Sequence, residues 1–79
     1  MITPDELAAG LRAAVQICDE NYGGAGYEAV AARIGVDPEL VLRELLPAVA
    51  EYFDQTLPGD DGIAAVHGPT AAARRFVGP

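Results

Sequence analysis

Lysine and serine are absent from this chain of 79 residues, and cysteine occurs once. Without lysine, the permanent cations are Arg12, Arg33, Arg43, Arg74 and Arg75, of which only the last two adjoin. Twelve carboxylates outnumber them and leave a net charge of −7. Phosphate-binding surfaces are ordinarily built from an excess of Lys and Arg, so nucleic acid is a poor electrostatic match and a basic partner a better one. The lack of serine removes one class of nucleophile. The lone Cys18 cannot close an internal disulfide and has no Cys or His companions at zinc-site spacing, which leaves packing as its expected role. No apolar run approaches the roughly 18 to 20 residues of a membrane-spanning helix. Asp5 and Glu6 stand where a signal peptide carries basic residues. The expectation is a soluble, cytoplasmic protein with no membrane role, one domain over residues 1–79, and a modest core that covers only ~60% of the unfolded surface.

Against these absences, helix punctuation is abundant. Thr3-Pro4-Asp5-Glu6 combines a capping residue, a proline at the first helical position and the glutamate of a capping box, with Ile2 and Leu7 placed to close a hydrophobic staple. Leu7, Leu11, Ala14, Val15, Cys18 and Tyr22 follow at helical spacing and predict a helix to about Asn21. The glycine-rich NYGGAG breaks it. Tyr27 to Ile34 predicts a second helix, ended by Gly35 in a tight turn plugged by Val36. Asp37-Pro38 repeats the cap-plus-proline start, and Val41, Leu45 and Val49 give the third helix a core face. Pro47 should kink or restart it, since a proline ring collides with the carbonyl four residues back. Two short strands, Tyr52 to Leu57 and Ile63 to Val66, flank a Pro-Gly-Asp-Asp-Gly turn, and Thr70 is placed to cap a final short helix that Phe76 pins to the core. The expected core is Leu7, Leu11, Val15, Cys18, Val30, Ile34, Val36, Val41, Leu45 and Val49.

Helix, glycine loop, helix, tight turn, helix, hairpin, short helix is an order that resembles the winged helix-turn-helix superfamily of small bacterial or phage regulators. AVAARIGVDPELVLREL resembles its central motif: Ala31 stands at the small residue of the helix crossing, Gly35 at the turn, Val36 at the plug, and Val41 with Leu45 on the inward face of the recognition helix. VHGPTAAARRFV is similar to the segment that follows the wing in many bacterial members. The fold class expected is therefore mainly α with a small β-hairpin, a three-helix winged domain. The resemblance implies DNA contact through the outer side of the third helix and the hairpin wing. In that alignment Asp37, Pro38, Glu39, Leu42, Arg43 and Leu46 face the groove, and of these Arg43 alone suits base reading, by gripping guanine O6 and N7. Arg74 and Arg75 would supply backbone contacts, while Asp60 and Asp61 stand at the wing tip, where members often carry Arg or Lys.

Other features have structural readings. The pairs Asp5-Glu6, Asp19-Glu20 and Asp60-Asp61 read as helix-dipole, helix-end and turn chemistry. His67 reads as an edge residue, and the glycine loop follows a helix and lacks the Lys and Ser/Thr of a phosphate-binding loop. No catalytic residues, metal ligands, cofactor or small-molecule substrate are expected, and the protein is read as non-enzymatic. Leu40, Val41 and Leu42 in succession span about 200° of helix, more than one core face buries. Glu39, Leu42, Arg43 and Leu46 are accordingly the candidate protein-contact patch on the helix over 38–46. The leading functional reading is a regulatory or binding module that meets a protein partner, either a second copy in a homodimer or a transcription or replication component. Arg43, Arg74 and Arg75 carry the alternative, a sequence-specific DNA-binding transcriptional regulator, with DNA binding expected to be weak. A third reading is an acidic protein that occupies another protein's nucleic-acid site.

Overall fold

The computed structural model describes residues 1–78, which include all five arginines and every carboxylate side chain. Thr3 caps helix α1 (Pro4–Glu20) through a complete capping box, its hydroxyl accepting from the Glu6 amide at 3.1 Å while Glu6 accepts from the Thr3 amide at 2.9 Å. The helix buries Leu11, Ala13, Ala14, Val15 and Ile17 over an arc of about 200°. Tyr22, expected to extend the apolar face, lies beyond the helix end and is fully exposed. Helix α2 (Tyr27–Ile34) ends at Gly35 in the left-handed conformation at φ 73°, and the amides of Gly35 and Val36 both donate to the Ala31 carbonyl. That conformation is readily open only to glycine, which fixes the tight turn into the next helix.

The third helical rod, α3, is not uniform. A turn of α-helix at Pro38–Leu40 leads into a π-helical turn at Val41–Leu45, α-helix at Leu46–Val49 and a 3₁₀ turn at Ala50–Tyr52. The backbone is in the right-handed helical region at Leu45 and Leu46 and leaves it only at Val49 (φ −108°, ψ 10°), ahead of the 3₁₀ turn, so the rod is not broken at Pro47. What changes is the hydrogen-bond register. The Leu46 amide donates to Val41, five residues back, immediately before the residue that has no amide to donate. The α-helical pattern thus restarts at Leu46, one residue ahead of the proline.

Strands β2 (Phe53–Gly59) and β3 (Gly62–Pro69) form the expected hairpin; β2 starts one residue later than predicted and runs to Gly59, β3 is longer at both ends, Gln55 stands opposite His67 and Leu57 opposite Ala65, and an irregularity lies between Leu57 and Pro58. The glycine loop contributes a strand that the sequence did not announce. Ala25–Gly26, named β1, pairs antiparallel with Val66 and Ala65 and completes a three-stranded sheet in the order β1-β3-β2. Helix α4 (Ala71–Val77) is capped by Thr70, whose hydroxyl accepts from the Ala73 amide. Phe76 does not enter the core. It is 42% exposed, tilted against Tyr52 at 6.3 Å between ring centres, with the Arg12 guanidinium 5.8 Å from its own ring centre.

The structure is mainly helical with a small antiparallel sheet, and one hydrophobic cluster joins the helices and the sheet. Of the ten residues predicted for the core, Leu11, Val15, Val30, Val41, Leu45 and Val49 belong to it, while Leu7, Cys18, Ile34 and Val36 are half-buried and pack against it. Two further residues, Leu46 inside this cluster and Leu42 beneath the hairpin turn, overturn an expectation. Leu46 is fully buried and Leu42 is 6% exposed, so neither forms a solvent-facing patch. In an α-helix Val41, Leu42, Leu45 and Leu46 span an arc of about 140°. The core covers one side of that arc and the hairpin covers the other, with Gly59 and Gly62 lying against Leu42. No helix among the described residues is long and apolar enough to cross a membrane.

Burial of Leu46 predicts that Leu46→Ala costs about 2–5 kcal/mol by chemical denaturation. Leu46→Glu should unfold the chain at every protein concentration, because it places a carboxylate in the apolar core, and Leu42→Glu should lower the melting temperature by driving the hairpin turn off the helix. Native-like melting of either glutamate variant would contradict this packing.

Candidate functional site

Helix α3 presents to solvent the residues left after its apolar arc is covered: Asp37, Pro38, Glu39, Arg43, Glu44, Pro47 and Ala48. Asp37 is committed as the N-cap, accepting from the Glu39 amide at 2.9 Å. Glu44 accepts from the Ile2 amide at 2.9 Å. Glu39 and Arg43, four residues apart and therefore neighbours on the helix surface, form an ion pair at 3.3 Å. Of the four residues expected to make a contact patch, these two are exposed and the two leucines are not.

The hairpin turn closes over this helix and leaves a cleft of about 410 Å³ between them, lined by Tyr27, Glu39, Leu42, Arg43, Gly59, Asp60 and Ala64. Leu42, Gly59 and Ala64 provide apolar lining; Glu39, Arg43 and Asp60 provide charge. Gly62 fixes the approach. A Cβ there would overlap the Leu42 carbonyl oxygen and lie 3.1 Å from the Arg43 Cα, so only glycine admits the strand to this distance. Tyr27, Gly59 and Ala64 were not identified from sequence, because they sit on three elements that meet only when the hairpin folds onto α3.

The cations expected to meet DNA are largely engaged within the protein. Arg74 holds Asp19 through two hydrogen bonds, at 2.7 and 2.8 Å, and joins α4 to the end of α1. Arg33 holds Glu20 in the same two-fold manner, at 3.1 and 2.8 Å. These bonds, more than the attendant Coulomb attraction, hold the Asp19 and Glu20 carboxyls below their ordinary values and raise the partner guanidiniums. Arg12 lies over the Phe76 ring. Arg75 is exposed and joins no ion pair among the described residues. Arg74 and Arg75 stand on α4 and do not line the cleft that holds Arg43. The hairpin residues 53–69 contain Asp54, Asp60 and Asp61 and no Arg or Lys, and Glu51 precedes them at the end of α3.

Cys18 is half-buried, with its sulfur 3.6 Å from the Val66 carbonyl, and burial pushes the thiol up from its ordinary range. His67 is exposed on β3. Among the described residues no group of three His, Cys, Asp or Glu side chains is placed to hold a metal ion. Comparisons with family models, with curated proteins and with solved structures give no match for this chain.

Two outcomes follow. Gly62→Ala should lower the melting temperature and expose the Leu42 side chain, since the obstruction is helix backbone and cannot move aside cheaply; an unchanged melt would place the hairpin elsewhere. Asp19 has a lowered folded value, so its contribution to stability is complete above the ordinary aspartate range and disappears as pH falls through the lowered value. Arg74→Ala should therefore move the Asp19 carboxyl titration, followed by carbon NMR, upward and flatten the acid limb of the stability curve.

Proposed function

We propose that this chain is a non-enzymatic binding module of winged-helix type that acts through protein contacts, with the outer face of α3 and the acidic hairpin as its contact surface. One observation carries the reading: Arg43, the residue best placed to read a base, is paired with Glu39 beside a hairpin that has three carboxylates and no Arg or Lys. Presenting this face to a duplex would oppose phosphates with Asp60 and Asp61, and using Arg43 and Arg74 would require two ion pairs to be given up. The order of helices and hairpin supports the winged-helix part of the proposal. Burial of Leu42 and Leu46 changes its contact residues. The surface on offer consists of Glu39, Arg43 and the cleft edge, with no leucine seam. Two copies bearing −7 each repel, so the proposed partner is a different protein, such as a component of a transcription or replication apparatus, in a cytoplasmic setting.

The test is fluorescence anisotropy of the purified chain with random and genomic duplexes at 50 and 150 mM salt, beside its mass in solution. The expected result is a monomer with weak, unselective binding and a shallow salt slope, since Arg43, Arg74 and Arg75 neutralise at most about three phosphates against the roughly 6 to 10 of strong binders. Nanomolar, sequence-selective binding at 150 mM salt would replace this proposal with the DNA-binding regulator that uses Arg43, Arg74 and Arg75.

A further inference from the structure

We infer that the cleft between α3 and the hairpin turn is a receptor for an arginine side chain carried on an exposed segment of a protein partner. The inference rests on the protein-contact reading above and names the chemistry of that contact. The cleft is the place where apolar lining, an aromatic residue and uncompensated negative charge coincide. Ala64, Gly59 and the edge of the largely buried Leu42 offer apolar surface for the methylene stem of a long side chain, and Tyr27 is a further lining residue. Glu39 and Asp60 come from opposite elements, the helix and the hairpin turn, and give the cleft two carboxylates against one internal cation. The protein already contains a partial version of the contact it would make. Arg43 reaches Glu39 through Nε at 3.3 Å, with the pair more than half exposed on both sides, and this leaves Glu39 exchangeable. Asp60 takes part in no ion pair or hydrogen bond with a side chain among the described residues.

The surroundings favour the same occupant. Asp61 adjoins Asp60 at the tip, and Asp54 on β2 and Glu51 at the end of α3 extend the negative charge, with no Arg or Lys on the hairpin. That field attracts a basic segment from a distance and repels phosphate. Arginine suits the cleft better than lysine because its planar fork pairs with a carboxylate through two bonds and lies flat against an aromatic ring, whereas an ammonium is a compact and more strongly hydrated charge. Arg43 is then a competitor built into the site. Its removal should free Glu39 and lower the positive charge that an incoming guanidinium meets.

The probe is the peptide acetyl-Gly-Ala-Arg-Ala-Gly-amide, titrated into the full ¹⁵N-labelled chain at low salt, with the Lys and Gln versions of the peptide and a random duplex as parallel titrations. The arginine peptide should shift the amides of Tyr27, Leu42, Gly59 and Ala64, the lysine peptide should bind more weakly, and the glutamine peptide should do nothing. Glu39→Gln with Asp60→Asn should weaken the arginine peptide about tenfold, while Arg43→Ala should tighten it about threefold, as expected for exposed charge pairs. Asp5→Asn with Glu28→Gln, which removes the same charge elsewhere, should change affinity far less, and melting curves verify that each variant folds. Shifts spread over all carboxylate-bearing elements, equal binding of lysine, or insensitivity to the Glu39 and Asp60 changes would each overturn the assignment of arginine to the cleft. A duplex that shifts the α3 and hairpin amides more strongly than any peptide would instead overturn the protein-contact reading itself.

Discussion

A helix whose apolar arc is wider than one core can cover must be covered twice, and the rest of this structure follows from how that is achieved. Val41, Leu42, Leu45 and Leu46 point over too broad a sector of α3 for α1 and α2 alone to enclose. The hairpin completes the enclosure by laying its glycine-rich turn on Leu42. In a chain of this size burying two further leucines is a large gain, since a fully buried leucine contributes roughly 1.5–3 kcal/mol. The turn residues are chosen accordingly. Gly62 has no side chain to hold the strand away, and Asp61 adopts a positive φ of 60° to turn the corner.

This closure is also what makes the candidate site. A hairpin standing free of α3 would leave Glu39 and Asp60 on separate surfaces, whereas one folded against the helix makes them two rims of a single cleft. The electrostatics of the exposed surface are likewise set by tertiary contacts. Five arginines look available in the sequence, yet Arg33, Arg43 and Arg74 are ion-paired and Arg12 lies over an aromatic ring. Exposed ion pairs contribute little to stability, but they decide which charges a partner meets first.

Much was legible in the residues themselves, wherever the signal is local. The capping box at Thr3 and Glu6, the Asp37-Pro38 start, the left-handed Gly35 and the cap at Thr70 each act within four residues, and each stands where its sequence placed it. Six of the expected core positions, Leu11, Val15, Val30, Val41, Leu45 and Val49, are buried, and they were legible because helical periodicity is a property of one element. Pro47 was read correctly as incompatible with an uninterrupted α-helical ladder, but the remedy, a π-turn placed ahead of it, depends on how the rod packs as a whole.

What the sequence determined by itself, then, is the order and ends of the helices, the hairpin, and an acidic surface poor in cations. Tertiary structure alone decided that Ala25–Gly26 is a strand, that Tyr22 lies in solvent, that Leu42 and Leu46 are core, and that Glu39, Arg43 and Asp60 share a cleft. The division has a physical reason. A cap or a helical stripe is fixed by neighbours within about one turn, while two residues of strand have no stability until a partner strand arrives, and an apolar side chain is exposed or buried according to what a segment some twenty residues away is free to cover.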